Sequence, residues 1–446
     1  MSVRTTDVHD VLGRTMLADG YPIVVDLEKS HGSYIVDARS GDEYLDFFSY
    51  FATNPLGHNH PRVNNPEFKK MMGEIAIHNP SNSDFYTTVM ADFVDAFRRL
   101  AQPAELPHVF FVAGGTLGVE NALKAAFDWK VRKNMAKGYE EELGGRVLHF
   151  RHAFHGRSGY TLSMTNTADP RKTMYYPKFD WPRITNPKCR FPLDGENLRH
   201  TIQAEQQAVA EIERAADLFG DDIAALIIEP IQGEGGDNHF RGEFMRELRR
   251  LADQYEFMLI FDEVQTGVGL TGKMWTYQHF DVKPDMVAFG KKMQVCGFMA
   301  GERVNEVDSV FKVSSRINST WGANLVDMAR AQRYLEVIAE ENLVENARLR
   351  GHYLVERLED LCRAFPQLIS QARGRGLMAA FDLPNTELRD RFLDACYDRK
   401  MIILASGTTS VRFRPALIVT DQEIDKAMDI IQAVLKSMTV LQGSAQ

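Results

Sequence analysis

This sequence predicts an α/β fold, with a mostly parallel central sheet in a large domain and a smaller α+β domain beside it. Three observations lead there. Apolar runs at residues 224–228, 258–261 and 286–289 read as buried strands. Segments with helical periodicity, 119–132, 202–218 and 244–255, are interleaved with the strands, as connections in a parallel sheet are. The length, 446 residues, exceeds what one core usually organises. The expected division is a segment, 1–55, packing with the small domain, a large domain over 56–324, and a small domain over 325–446.

The elements follow in order. Residues 33–36 and 44–51 read as two short strands around a turn at Gly41, before a polar loop at 57–61. A β-rich run at 109–112 leads through Gly114 and Gly115 into the helix at 119–132. The strand at 147–150 runs into a polar segment, 151–159. The proline-bearing stretch 170–192 reads as a loop, and the polar helix at 202–218 as a surface helix. The strand at 224–228 ends at Glu229-Pro230. The helix at 244–255 leads into the strand that ends at Asp262, and the next strand stops just before Lys291. From about 325 long helices dominate, with strands near 377–383 and 411–414.

Composition narrows the function classes. The formal charge of −9 argues against nucleic acid, which needs a basic face. The four cysteines, Cys189, Cys296, Cys362 and Cys396, are far apart, so neither a disulfide framework nor a zinc site is suggested. No signal peptide and no apolar run of membrane-spanning length is visible, so a reducing cytoplasm is the expectation.

Ligands of an open α/β sheet bind at the carboxyl ends of its strands. Asp262 and Lys291 both stand there, which aims a carboxylate and an amine into one site. That pair is the equipment of a pyridoxal phosphate enzyme: the lysine amine attacks a carbonyl and later moves a proton, and Asp262 keeps a pyridine nitrogen protonated. Burial would lower the lysine pKa and suit it to both tasks. Lys292 is adjacent and points elsewhere. The plain alternative is two surface lysines in a loop.

Other segments join this reading. Gly114-Gly115-Thr116 opens a helix, where free backbone N–H groups favour a phosphate, with Thr116 adding a hydroxyl; a simple strand-to-helix turn is the alternative. In Phe154-His155-Gly156-Arg157 the ring suits stacking and Arg157 suits a carboxylate. Gln265 reads as a donor to a phenolic oxygen, or as a surface residue. The loop after Glu229, Gln232-Gly233-Glu234-Gly235-Gly236, is acidic and glycine-flanked, and a surface turn is its plainer reading. Arg412 and Arg414 alternate on one strand face. His58 and His60 lack a third ligand and read as structural, so no metal is expected.

Together these segments resemble the class III aminotransferases, the ω-aminotransferase group of fold-type I pyridoxal phosphate enzymes. Asp262-Glu263-Val264-Gln265-Thr266-Gly267 with Lys291 carries the resemblance most specifically, and it extends from Gly57-His58-Asn59-His60-Pro61 to Arg412-Phe413-Arg414-Pro415. Within the group, Asn79-Pro80-Ser81-Asn82-Ser83-Asp84, Pro177-Lys178-Phe179-Asp180-Trp181-Pro182-Arg183 and Asn318-Ser319-Thr320-Trp321-Gly322 are most similar to the branch acting on the terminal amine of lysine. The 4-aminobutyrate branch shares the Phe-Asp-Trp-Pro and Glu-Gly-Gly-Asp-Asn-His features.

The resemblance implies a homodimer with sites at the subunit interface. It places the cofactor phosphate on Gly115 and Thr116, with Thr320 reaching in from the partner, and Phe154 stacked on the ring beside Asp262, Gln265 and Lys291. It implies transfer of the ε-amino group of L-lysine to 2-oxoglutarate. The products would be L-glutamate and 2-aminoadipate 6-semialdehyde, which cyclises to piperideine-6-carboxylate. Arg412 would bind the α-carboxylate of glutamate and pair with Glu234 when lysine is bound. Arg157 would bind the distal carboxylate and Asn318 the distal ammonium. The alternatives are transamination of 4-aminobutyrate or ornithine, or a non-catalytic binding module of the same fold.

Overall fold

Strands that are apolar along their whole length have both faces to bury, and here they form the centre of the fold. The computed structural model describes residues 3–443. Seven strands make one sheet, in the spatial order His108–Val112, Cys296–Ala300, Met286–Phe289, Met258–Asp262, Ile223–Ile228, Arg146–Phe150 and Arg183–Ile184. Neighbours are parallel from Met286–Phe289 onward, and Cys296–Ala300 runs antiparallel to the strands on either side of it.

The period of two along each strand sorts side chains into two cores. Leu226, Ile228, Leu259, Phe261, Val287 and Phe289 face one. Ala225, Ile227, Met258, Ile260, Met286 and Ala288 face the other. The helix Gly115–Ala136 closes the second core with Val119, Leu123 and Trp129. Helices Gly195–Phe219 and Gly242–Gln254 close the first through Ile212, Phe244 and Leu248. Each Val, Leu, Ile, Phe or Met side chain among these, fully buried, contributes roughly 1.5–3 kcal/mol. Parallel pairing brings Glu229, Asp262 and Lys291 to the same edge.

A four-stranded antiparallel sheet follows, in the order Ser370–Arg375, Met378–Asp382, Ser410–Phe413, Leu404–Ser406. Near the amino terminus Tyr34–Val36 pairs with Glu43–Asp46, which in turn pairs in parallel with Met401–Ile402. No helix among the described residues is long and apolar enough to cross a membrane.

Several segments differ from the sequence reading, among them the helices Pro66–Ala76 and Thr88–Leu100 and the strand Ser370–Arg375, which it did not assign. The strand expected over 44–51 stops at Asp46, and Ser49, Tyr50, Phe51 and Ala52 all have positive φ, 39° to 61°. The Asp46 carboxylate turns the chain by accepting from the Phe48 and Ser49 backbone N–H groups, at 2.9 and 2.7 Å. The loop expected over 170–192 carries the edge strand Arg183–Ile184, two residues and too short to show a period. Cys296–Ala300 is a strand that the sequence reading did not assign.

Candidate active site

The site begins where the first sheet strand turns into the helix Gly115–Ala136. Gly114 makes that turn with φ 107°, a region that disfavours other side chains. The first N–H groups of the helix have no partner within it, which makes an anion seat. Gly115 and Thr116 line a cavity of about 290 Å³ with Phe154, His155, Gly156, Glu229, Glu234, Asp262, Val264, Gln265, Lys291 and Cys296. Gly156 (φ 134°) lets the Phe154 loop come this close, because a Cβ there would lie 2.5 Å from Thr116 Oγ1.

Lys291 heads a short 3-10 turn, Lys291–Met293, at the end of its strand. Burial lowers its pKa to about 8, with the charges of Arg412 and Arg414 adding to the shift and those of Asp262 and Glu229 opposing it. Lys292 is not a surface residue either. It is fully buried, and its Nζ donates to the Gln265 carbonyl oxygen at 2.6 Å.

Asp262 faces the cavity with a partner that the sequence reading did not single out. His155 Nδ1 lies 2.8 Å from Asp262 Oδ2. Burial works against the charged imidazole, but the hydrogen bond and charge of Asp262, with the charge of Glu229, outweigh it and raise the His155 pKa. Glu229 was also missed. Its carboxylate accepts from the Phe154 and Gly233 N–H groups at 2.9 and 3.1 Å, so it ties the ring-bearing loop to the Glu234 loop, and burial pushes its pKa up to about 7. The signals were present: His155 sits inside a segment already noted, and Glu229 ends a buried strand.

The Gln265 amide is oriented by Arg414, whose Nη2 and Nε donate to Oε1 at 3.1 and 3.3 Å. That leaves the Gln265 NH2 as the group with donors to offer. Arg414 is itself buried and ion-paired with Asp237.

Glu234 lies between the paired strands Ile231–Gln232 and Asn238–His239, in a hairpin buried at Gln232, so the surface-turn reading is overturned. Its Oε2 accepts from Arg412 Nη2 at 2.8 Å, and its Oε1 is paired with Lys172. Burial alone would raise the Glu234 pKa, but Arg412 and Lys172 together lower it. Arg412 is 3 % exposed, and its Nε is buried with no protein partner.

The remaining expected residues stay outside this cavity. Arg157 is exposed, with its guanidinium 5.9 Å from the Phe154 ring centre. Asn318 and Thr320 are exposed as well. His58 pairs with Asp46 and His60 with Glu341, both at 3.2 Å, and no cluster of metal-ligating residues occurs among the described residues.

These residues fit pyridoxal phosphate. One cavity presents an anion seat for the phosphate, a ring to stack on a pyridine, a carboxylate for its nitrogen, an amide for its phenolic oxygen and a buried amine of lowered pKa for its carbonyl.

Comparison with known proteins agrees. The family aminotransferase class-III matches residues 16–435. The chain is 54 % identical over 434 residues to an L-lysine-epsilon aminotransferase of Mycobacterium tuberculosis, covering 97 % of this chain and 96 % of that one. It is 50 % identical over 438 residues to an L-lysine-epsilon aminotransferase of Amycolatopsis lactamdurans, with coverage of 97 % and 96 %. A solved structure of a lysine aminotransferase from M. tuberculosis, in the internal aldimine form, superimposes with a TM-score of 0.95 at 52 % identity, covering 98 % of this chain and all of that one.

Proposed function

Because this chain belongs to the class III aminotransferases, we propose that it transfers the ε-amino group of L-lysine to 2-oxoglutarate, forming 2-aminoadipate 6-semialdehyde and L-glutamate. The observation that carries this reading is the ion pair of Arg412 with Glu234, a residue that lines the cavity holding Lys291. One pocket must accept a carbon that carries only an amine and a hydrogen-rich chain, and then a keto carbon with its own carboxylate. A buried arginine left unpaired in the first case would be costly. Glu234 neutralises it there and gives way to the carboxylate in the second. Relatives that share half of the sequence bear the lysine name, which supports the choice of donor.

Pyridoxal phosphate supplies, when bound, a carbonyl for the amine and a ring that acidifies the neighbouring carbon. The chain's own groups do the rest. Lys291 Nζ would take up the proton of the amine-bearing carbon and give it back, a role that its pKa of about 8 suits near neutrality. Asp262, steadied by His155, would hold a proton at the pyridine nitrogen. Gly115 and Thr116 would hold the phosphate, Phe154 would cover the ring and Gln265 would meet the phenolic oxygen. Arg157 takes the distal carboxylate of either substrate, and Asn318 the distal ammonium of lysine.

The enzyme works as a homodimer in the cytoplasm. The exposed position of Thr320 supports this, since it suits a residue that completes the partner's phosphate seat. The four free cysteines suit a reducing compartment. The division is a leading segment, 1–55, a cofactor domain, 56–324, and a small domain, 325–446, of which residues 1–2 and 444–446 lie outside the described residues.

The cofactor-loaded protein is mixed separately with L-lysine, L-ornithine and 4-aminobutyrate, without keto acid. Lysine is expected to bleach the cofactor absorbance fastest and to yield a six-membered imine that 2-aminobenzaldehyde traps. Faster bleaching by ornithine or 4-aminobutyrate would overturn the substrate and leave the family intact.

A further inference from the structure

Glu234 has two cationic partners, and the charge switch described above uses only one of them. Its Oε2 meets Arg412, and its Oε1 meets Lys172, which stands at the end of the short 3-10 turn Pro170–Lys172. The side chains of Lys172 and Glu234 are 17 % and 26 % exposed, so water does not screen the pair away as it does on an open surface. Lys172 Nζ also lies 6.0 Å from the centre of the ring of Phe154, which lines the cavity. We propose that Lys172 is a positioning residue of the switch: it keeps hold of the Glu234 carboxylate when a substrate carboxylate displaces it from Arg412. This inference rests on the switch reading of Arg412 and Glu234 proposed above.

The physical argument concerns what becomes of Glu234 after displacement. A carboxylate that leaves its only cation in a half-buried cleft loses a charge-assisted hydrogen bond and regains only partial hydration. With Lys172 on its other oxygen, Glu234 exchanges one partner and keeps the other. The cost of freeing Arg412 is therefore lower than for an isolated pair. The lysine half-reaction, in which Glu234 stays on Arg412, draws no such benefit. Removing the Lys172 charge should thus weaken the glutamate side selectively. Removing the Glu234 charge should weaken the lysine side, because Arg412 is then left without a counter-ion.

The variants K172M, K172R, E234Q and E234Q/K172M are compared as cofactor-loaded full chains. Both half-reactions are followed by absorbance, and binding of the unreactive dicarboxylate glutarate is followed by calorimetry. K172M is expected to weaken glutarate binding and the 2-oxoglutarate half-reaction by about tenfold relative to the lysine half-reaction, about 1.4 kcal/mol. K172R should restore most of that. In the E234Q background the Lys172 substitution should have no further effect on glutarate binding, because Lys172 acts through Glu234. An undiminished loss in E234Q/K172M would mean that Lys172 binds the substrate carboxylate directly, and would overturn the inference. Equal slowing of both half-reactions by K172M would overturn it too. If the unaltered enzyme converts neither lysine nor 2-oxoglutarate, it is the functional reading that fails.

Discussion

At the scale of single residues, the chemistry depends on an amine that is neutral where an ordinary lysine is charged. Burial, with Arg412 and Arg414 nearby, brings Lys291 to about 8. The uptake of pyridoxal phosphate by the cofactor-free protein should show it, because only the unprotonated amine attacks a carbonyl. The rate should rise about tenfold per pH unit up to about pH 8 and then level off, whereas an unperturbed lysine would keep rising to about pH 10. K291A should capture no covalently held chromophore, and K292M should still capture it. A plateau near pH 10, or capture by K291A and not by K292M, would assign the chemistry to the wrong group. Lys291, Asp262 and Gln265 were legible in the sequence because strand ends are where such residues work. That His155 holds Asp262 and Arg414 holds Gln265 was not, since the partners lie 107 and 149 residues apart in the sequence.

At the scale of elements, the turn after the Asp262 strand is held by the next residue. Glu263 is fully buried, and its carboxylate accepts from the Thr276 and Tyr277 N–H groups at 2.7 and 2.8 Å and from Thr266 Oγ1 at 2.9 Å. E263A strands these donors without water and should cost about 3 kcal/mol, read as a lower unfolding midpoint. Burial pushes the Glu263 pKa up to about 7 despite those hydrogen bonds. The folded chain then keeps a proton that the unfolded chain gives up above its ordinary value of 4.5. This group's contribution to stability is therefore full below that value and lost as pH rises through about 7. The difference in midpoint between the unaltered protein and E263Q should shrink over that interval; a difference that grew would reverse the sign of the shift. The parallel strands at 224–228, 258–261 and 286–289 and the helices between them were legible because continuous apolar runs of that length suit strands buried on both faces. The turn at Ser49–Ala52 was not, because the Asp46 carboxylate imposes it.

At the scale of the whole molecule, the described chain carries most of a site. Gly115, Thr116, Phe154, Asp262, Gln265 and Lys291 line one cavity, while Thr320 and Asn318 stand exposed outside it. If the partner subunit's Thr320 completes the phosphate seat, two inactive variants should complement each other. K291A lacks the amine and T320E repels the phosphate, yet a mixed dimer has one site with both faults and one with neither. Mixing and re-associating them should restore activity to roughly a quarter of the unaltered level. No recovery would mean that each chain completes its own site. The sequence by itself determined the fold class, the placing of Asp262 and Lys291 at one sheet edge and the cofactor they suit, because these follow from local periodicity and from where parallel strands end. Only the tertiary structure decided that Lys172 shares Glu234, that Arg414 aims Gln265 and that Lys292 is interior. Each of those depends on charges brought together across the fold in a place with little water, and no local pattern records which charge will meet which.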